Sequence, residues 1–272
     1  MSVSEAKLLK TIVTQTIESP EDVFGLAVLD RKLYVLRKRQ DKQIDIYDTK
    51  DYSKLEPVIT VQGLSPSYNN DMTECKTENC LFVSDFSARC IRKVDAKGKV
   101  SKFVDVPYEP KGLSITPEGN LLVTCHPNKL MEFNTKTGEK VCEVTLEING
   151  LIHAVKRKDG QYVVCHAEKE GLSRVLRVGA DGYYRHCFGG MQGSGDDQLN
   201  SPCHLALRED NHVIVADNNN NRLVLLDASM EYVDTLVEDF REPNRVWFDT
   251  DSRRLYVGET DKDGTIKVFD TK

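Results

Sequence analysis

"SPCHLALREDNHVIVADNNNNRLVLLD", from Ser201 to Asp227, decides the fold. An apolar strand leads into a charged turn, a second apolar strand, a tight polar loop and a third apolar strand. That alternation is the signature of short antiparallel strands joined by turns. Asparagine tolerates left-handed backbone and bonds to its own turn, so the run Asn218 to Asn221 suits a tight connection between two strands. Asp217 opens that loop and can accept from its amides, and Arg222 closes it and can pair with Asp217 or with a neighbouring blade.

The same rhythm runs through the chain. Units begin with "SPEDVFGLAVLDRKLYVLRKRQDKQIDIYD" at Ser19, "NNDMTECKTENCLFVSDFSARCIRKVD" at Asn69 and "EPKGLSITPEGNLLVTCHPNKLMEFN" at Glu109. "NGLIHAVKRKDGQYVVCHAEKEGLSRVLRV" follows at Asn149, then the opening stretch, then "EPNRVWFDTDSRRLYVGETDKDGTIKVFD" at Glu242. Aligned on the residue that opens each first strand, the units share the positions Gly25, Asp71, Gly112, His153, His204 and Arg245. The steps between these are 46, 41, 41, 51 and 41 residues, the long one holding the Gly-rich insertion "GGMQGSGDDQLN". Fourth strands fit in "KVSKFVDV", "KVCEVTL" and "YYRHCFG". Four strands per roughly 40 to 45 residues is the β-propeller period, and no sustained 3.6-residue apolar period supports a helical solenoid.

The fold expected is therefore all-β: a six-bladed β-propeller, one domain over residues 1–272. Its last unit stops after a third strand, while "KLLKTIVTQTI" precedes the first unit without a partner. Pairing that N-terminal strand with the last blade would close the ring and cover a sheet edge.

Composition bounds the function. The 272 residues are 39% hydrophobic and 29% charged, with a formal charge of −6. An acidic average opposes nucleic-acid binding unless one face segregates its cations. No apolar run reaches membrane-spanning length. The first residues lack a basic start and an apolar core, so a cytoplasmic setting is expected, with eight reduced thiols and no bridge between Cys75 and Cys80.

The fifth unit resembles the NHL-repeat family. "GSGDDQLNSPCHLALREDNHVIVADNNNNRLVLLD" carries a Gly-rich approach, Ser-Pro, an alternating strand, Val-Ala-Asp, an Asn-containing loop, Arg and an apolar strand. "LFVSDFSARCIRKVD" is similar, with Asp85 and Arg89 matching Asp217 and Arg222, whereas the other four units lose the pair. The resemblance implies a propeller of the kind that ends tripartite-motif chains and recruits protein or RNA.

Functional candidates gather on the face formed by the loops before each first strand and between second and third strands. Protein recognition is the leading expectation, with Arg37, Lys38, Arg39, Lys111, His153, His204, Asn244 and Arg245 as partner-binding residues of a monomer. Single-stranded RNA on the same arc would need stacking aromatics, for which Phe24, Tyr68, Phe86 and Tyr108 are candidates. A small molecule in the channel is a further option. Catalysis of the hydrolase or lyase kind would use His153, His204, Asp71, Cys203 and Arg245 at the channel rim.

Two family patterns are absent. Amidating lyases of this fold place histidines where this chain has Phe24, Asn70, Lys111, Ile152, Cys203 and Asn244. The cation site of the regucalcin and gluconolactonase group is not matched around Glu21, Asn149 and Asp71. "ETDKDGTI", with Glu259, Asp261, Asp263 and Gly264, lacks the spacing of a calcium loop and reads as a β-turn. Neither a metal nor a cofactor is expected.

Overall fold

The computed structural model describes residues 12–18, 21–37, 43–64, 70–168, 171–236, 239–260 and 264–271. An N-terminal strand, β1 (Ile12–Ile17), precedes blade 1, which is β2 (Val23–Leu29), β3 (Lys32–Arg37), β4 (Gln43–Asp48) and β5 (Lys54–Thr60). Blade 2 is β6 (Met72–Cys75), β7 (Cys80–Asp85), β8 (Cys90–Asp95) and β9 (Val100–Asp105). Blade 3 is β10 (Glu109–Ile115), β11 (Asn120–His126), β12 (Lys129–Asn134) and β13 (Lys140–Thr145). Blade 4 is β14 (Leu151–Lys156), β15 (Tyr162–Ala167), β16 (Leu172–Val178) and β17 (Tyr184–Met191). Blade 5 is β18 (Pro202–Leu207), β19 (Val213–Asp217), β20 (Arg222–Leu226) and β21 (Tyr232–Leu236), with a 3-10 turn at Asn218–Asn220. Blade 6 is β22 (Pro243–Asp249), β23 (Arg254–Glu259) and β24 (Ile266–Asp270).

Six four-stranded antiparallel sheets result, and the sixth has the order β1-β24-β23-β22. Ile17 pairs with Ile266 and Ile12 with Asp270, so the strand earliest in sequence supplies the outer edge of the last blade. The expected closure is what the chain does. No helix among the described residues is long and apolar enough to cross a membrane.

The strands form where apolar residues alternate or run together, and the turns form where Asx residues end a third strand. Asp95 Oδ1 accepts the amides of Lys97 and Lys99, each at 2.9 Å. Asp227 Oδ1 does the same for Ser229 at 2.8 Å and Glu231 at 2.9 Å. Such side-chain caps replace the backbone bonds that a turn gives up.

Among the described residues, buried side chains divide into six clusters, one between each pair of neighbouring blades. Between blades 6 and 1 lie Ile17, Val23, Leu26, Val35, Tyr256 and Val268. Between blades 4 and 5 lie Val163, Cys165, Leu199, Leu205, Val215 and Val224. Burying one such aliphatic side chain stabilises by about 1.5–3 kcal/mol, so the ring is held by interfaces rather than by one centre. All eight cysteines are free, and Cys75 and Cys80 face each other as cross-strand partners.

A feature repeated across blades positions the site. Pairing of the innermost strand slips between Val23 and Gly25, Pro110 and Leu113, Leu151 and His153, Pro202 and His204, and Pro243 and Arg245. A bulge re-aims the residue beside it. Five blades therefore present their ring residue through the same irregularity.

Candidate functional site: the channel mouth and the loop clasps above it

The shared ring positions come together in space. Asp71 lies just before β6 and is 1% exposed, and His153, His204 and Arg245 are buried beside it. Two ring positions are glycine because side chains would collide there. A Cβ on Gly112 would sit 2.7 Å from both Cα and Cδ2 of His153, and one on Gly25 would sit 2.6 Å from Met72 Cβ. Gly112 thus makes the room that the His153 ring fills.

Asp71 is enclosed by donors. Its Oδ1 accepts the Met72 amide at 2.9 Å and faces Arg245 Nε at 3.2 Å. Its Oδ2 accepts the Leu113 amide at 2.8 Å and faces Nε2 of His204 at 3.5 Å and of His153 at 3.8 Å. Burial alone would raise this carboxyl, but Arg245, His204 and His153 outweigh it and hold the group well below the usual carboxylate range. Arg245 is equally engaged. Its Nε donates to Phe24 O at 2.8 Å, and its terminal nitrogens donate to Asn244 O at 2.8 Å and Asn70 O at 3.0 Å. One guanidinium therefore joins blades 6, 1 and 2.

The two imidazoles stack, with centroids 3.8 Å apart and planes inclined by 26°. His153 Nε2 lies 3.1 Å from Leu113 O, a carbonyl that can only accept, so Nε2 carries the proton and Nδ1 is bare. Neither Nδ1 has a hydrogen-bond partner. Burial, then the neighbouring His204, pushes His153 well below its ordinary range, and burial likewise lowers His204. The cluster is one carboxylate, one guanidinium and two neutral rings.

Asp71, His153 and His204 bring three ligand-type atoms within 4.8 Å of one another. Their arrangement suits a metal poorly. A coordinated ion lies in the plane of each imidazole, whereas these planes are stacked, and Arg245 sits against the same carboxylate. Cys203 is a weak nucleophile here: burial pushes its thiol up to about 12, and Sγ lies 3.4 Å from the carbonyls of both Pro243 and Asn244.

A cleft of about 170 Å³ opens above the ring, lined by Asp71, Lys111, Ile152, Cys203, Asn244 and Arg245 among others. The expected basic arc does not line it as a surface. Arg37 is fully buried, with Nε on Asp45 at 3.3 Å and Nη1 on Gly264 O at 3.2 Å, so it is unavailable to a partner. Arg245 is turned into the channel, and Lys38 and Arg39 lie outside the described residues, as do Asp261 and Asp263. Asn244 is half-buried and donates to Val23 O at 3.0 Å. Of the aromatic candidates Phe24 is core, Tyr68 lies outside the described residues, and Phe86 and Tyr108 are half-buried.

Arg37 belongs to a second device that the sequence disguises. In blade 5, Arg222 Nε meets Asp217 Oδ2 at 2.8 Å. Its terminal nitrogens donate to Ser194 O, Gly195 O and Gln198 O at 3.1, 2.9 and 2.7 Å. The pair ties the end of a second strand to a third strand and to the loop entering the blade. In blade 2 the partner of Asp85 is Arg92, at 2.8 Å, and not Arg89, which is exposed and meets Glu109 at 3.2 Å. Arg89 has φ 50° and Asn221 φ 52°, so Arg89 matches the left-handed loop residue instead. Arg92 also donates to Gly63 O at 2.8 Å, in the preceding loop. Blade 1 reverses the polarity, Arg37 on the second strand and Asp45 on the third. Blade 4 uses His166 and Arg174, 3.3 Å apart, and blade 6 uses Glu259 and Lys267, 3.4 Å apart. The other four units do lack the Asp-then-Arg order, as expected, but three of them place another pair between the same two strands.

No family model and no curated protein sequence matches the chain. Solved structures do. Virginiamycin B lyase from Staphylococcus aureus superposes with a TM-score of 0.66 at 13% identity, over 94% of this chain and 98% of that one. A protein of unknown function from Bacteroides thetaiotaomicron VPI-5482 gives 0.73 at 15%, over 97% and 74%. A chain of the nidogen/laminin complex gives 0.63 at 15%, over 80% and 81%. At these identities the likeness is one of fold: a six-bladed β-propeller.

Proposed function

We propose that this chain is an NHL-type binding module, one domain that engages a protein partner through the face carrying its blade-entry loops. The observation that carries this is the state of the Gly-rich insertion before blade 5. Met191, Gln192, Ser194, Asp196 and Asp197 are exposed, yet the backbone beneath them is fixed. Arg222 binds three of its carbonyls, Asn220 donates to Gly193 O at 2.8 Å, and Leu199 is a fully buried anchor. An exposed segment that does not have to be ordered on binding loses less entropy when a partner docks. The eight free thiols accord with a cytoplasmic setting.

A photo-reactive cross-linker at Gln192, compared with one at Tyr184 on the opposite end of the blades, tests the reading. The expected product is one protein species joined from Gln192. Its purified form should bind wild type and lose at least about tenfold in affinity to the Met191→Glu, Asp196→Lys double variant, the size of effect a central contact gives. Joining from Tyr184 alone, or binding indifferent to the double variant, would overturn it.

A second reading, a hydrolase or lyase at the channel mouth, is favoured by the stacked His153 and His204 beside an ionised Asp71. Turnover of lactone, ester or amide substrates that disappears in a folded His153→Ala, His204→Ala variant would establish it. Against it stands the commitment of Asp71 and Arg245 to backbone groups.

A further inference from the structure

We propose that the cleft at the channel mouth recognises a carboxylate, with Lys111 as the cation that meets it. Lys111 immediately precedes the ring position Gly112 and is half-buried in the cleft wall. Among the described residues its ammonium has neither an ion-pair nor a hydrogen-bond partner, although its own carbonyl accepts Ser84 Oγ at 2.7 Å. Burial lowers the Lys111 pKa, with Glu109 opposing, so the charge is held in partly desolvated surroundings without a counterion. An arriving anion relieves that cost.

The rest of the lining selects the sign and the shape. Lys111 and Arg245 are cations and Asp71 is the single carboxylate among the lining groups, with both its oxygens already facing donors. The cleft carries a net positive charge, and it has no uncommitted acidic oxygen to offer a cation. Each terminal nitrogen of Arg245 gives one hydrogen to a carbonyl and keeps another, since a guanidinium has five. Ile152 and the Cys203 side supply an apolar wall for a short carbon stem. A volume of about 170 Å³ suits a carboxylate on a few carbons rather than a whole metabolite. Such a group arrives either as a free small acid or as the acidic side chain or terminus of a protein. Only the second source rests on the binding-module reading above.

The test is titration of the protein with sodium acetate, followed by the NMR signal of the Lys111 Cε in lysine-labelled protein and by calorimetry. Acetamide and sodium chloride serve as the neutral and ionic controls. A four-heavy-atom ligand is limited to weak, roughly millimolar binding. We expect acetate to saturate the Lys111 signal, acetamide not to, Lys111→Arg to retain binding and Lys111→Met to lose at least about tenfold, as removal of a charge-assisted bond does. Unchanged unfolding midpoints for both variants show that the fold is intact. A short peptide with a free terminus, its amidated form, and an amidated peptide carrying glutamate separate the sources: tighter binding than acetate identifies a protein group, and no gain identifies a free acid. Absence of saturation, equal response to acetamide, or full binding by Lys111→Met would overturn the assignment. A Lys111-independent result together with partner binding at Met191 and Asp196 would remove this inference and leave the module reading standing. The converse result would do the reverse.

Discussion

Arg245 shows how much one side chain can be asked to hold. Its guanidinium faces Asp71 and donates to carbonyls of three blades, the farthest 221 residues away in sequence. Equivalent position in each repeat unit was enough to put Arg245, Asp71, His153 and His204 on one ring from sequence alone. Their partners were not legible, because a backbone carbonyl such as Asn70 O leaves no trace in residue type. The same blindness placed Arg37 on a binding surface, when its counter-charge Asp45 lies on the next strand and buries it. The histidines carry a prediction in pH. Both have folded pKa values below the ordinary value of about 6.5, so the unfolded chain binds more protons below that value. Their contribution to stability is complete above about pH 6.5 and declines as pH falls through it, by about 1.4 kcal/mol for each pKa unit of depression. Urea midpoints measured from pH 7.5 down to 5 should fall for wild type and fall less for His153→Gln and His204→Gln. An equal decline in all three would show that these rings are not responsible. Asp71 acts in a separate window, since its stabilisation is lost only on acidification through the carboxylate range.

At the scale of the element, the strands and turns were readable because apolar alternation and Asx turns are local. The inner-strand bulges and the clasps were not, because they depend on what crosses between strands. The Asp217–Arg222 pair was visible in blade 5 as a motif, while Arg37–Asp45, His166–Arg174 and Glu259–Lys267 do the same work with other residues. Arg222→Met should leave Asp217 buried without its ion partner and free the insertion before blade 5. A loss of about 3–5 kcal/mol in unfolding free energy is expected, the cost of breaking a buried pair, together with faster amide exchange over residues 191–198. Exchange unchanged in that segment would disprove the clasp. Gly112→Ala drives a methyl against His153 and should cost about 1–3 kcal/mol. Deleting residues 1–17 removes β1, uncovers the edge of β24 and takes Ile17 from the core between blades 6 and 1. Its thermal midpoint should drop sharply, and an unaltered melting curve would contradict closure by that strand.

For the whole molecule, the period alone announced a ring, since four-stranded units at this spacing have few other ways to bury both faces. What fills the ring's centre is two histidines, an aspartate and an arginine, and their residue types alone do not disclose the backbone groups that Asp71 and Arg245 hold. Through Arg245 the cluster joins blades 6, 1 and 2. The most direct measurement is a double-mutant cycle on unfolding free energy with Asp71→Asn, Arg245→Met and the two together. Each single change should destabilise by about 3–5 kcal/mol and the double by clearly less than their sum, as for two members of one buried pair. Wild-type stability in both single variants would contradict the structural role of the cluster.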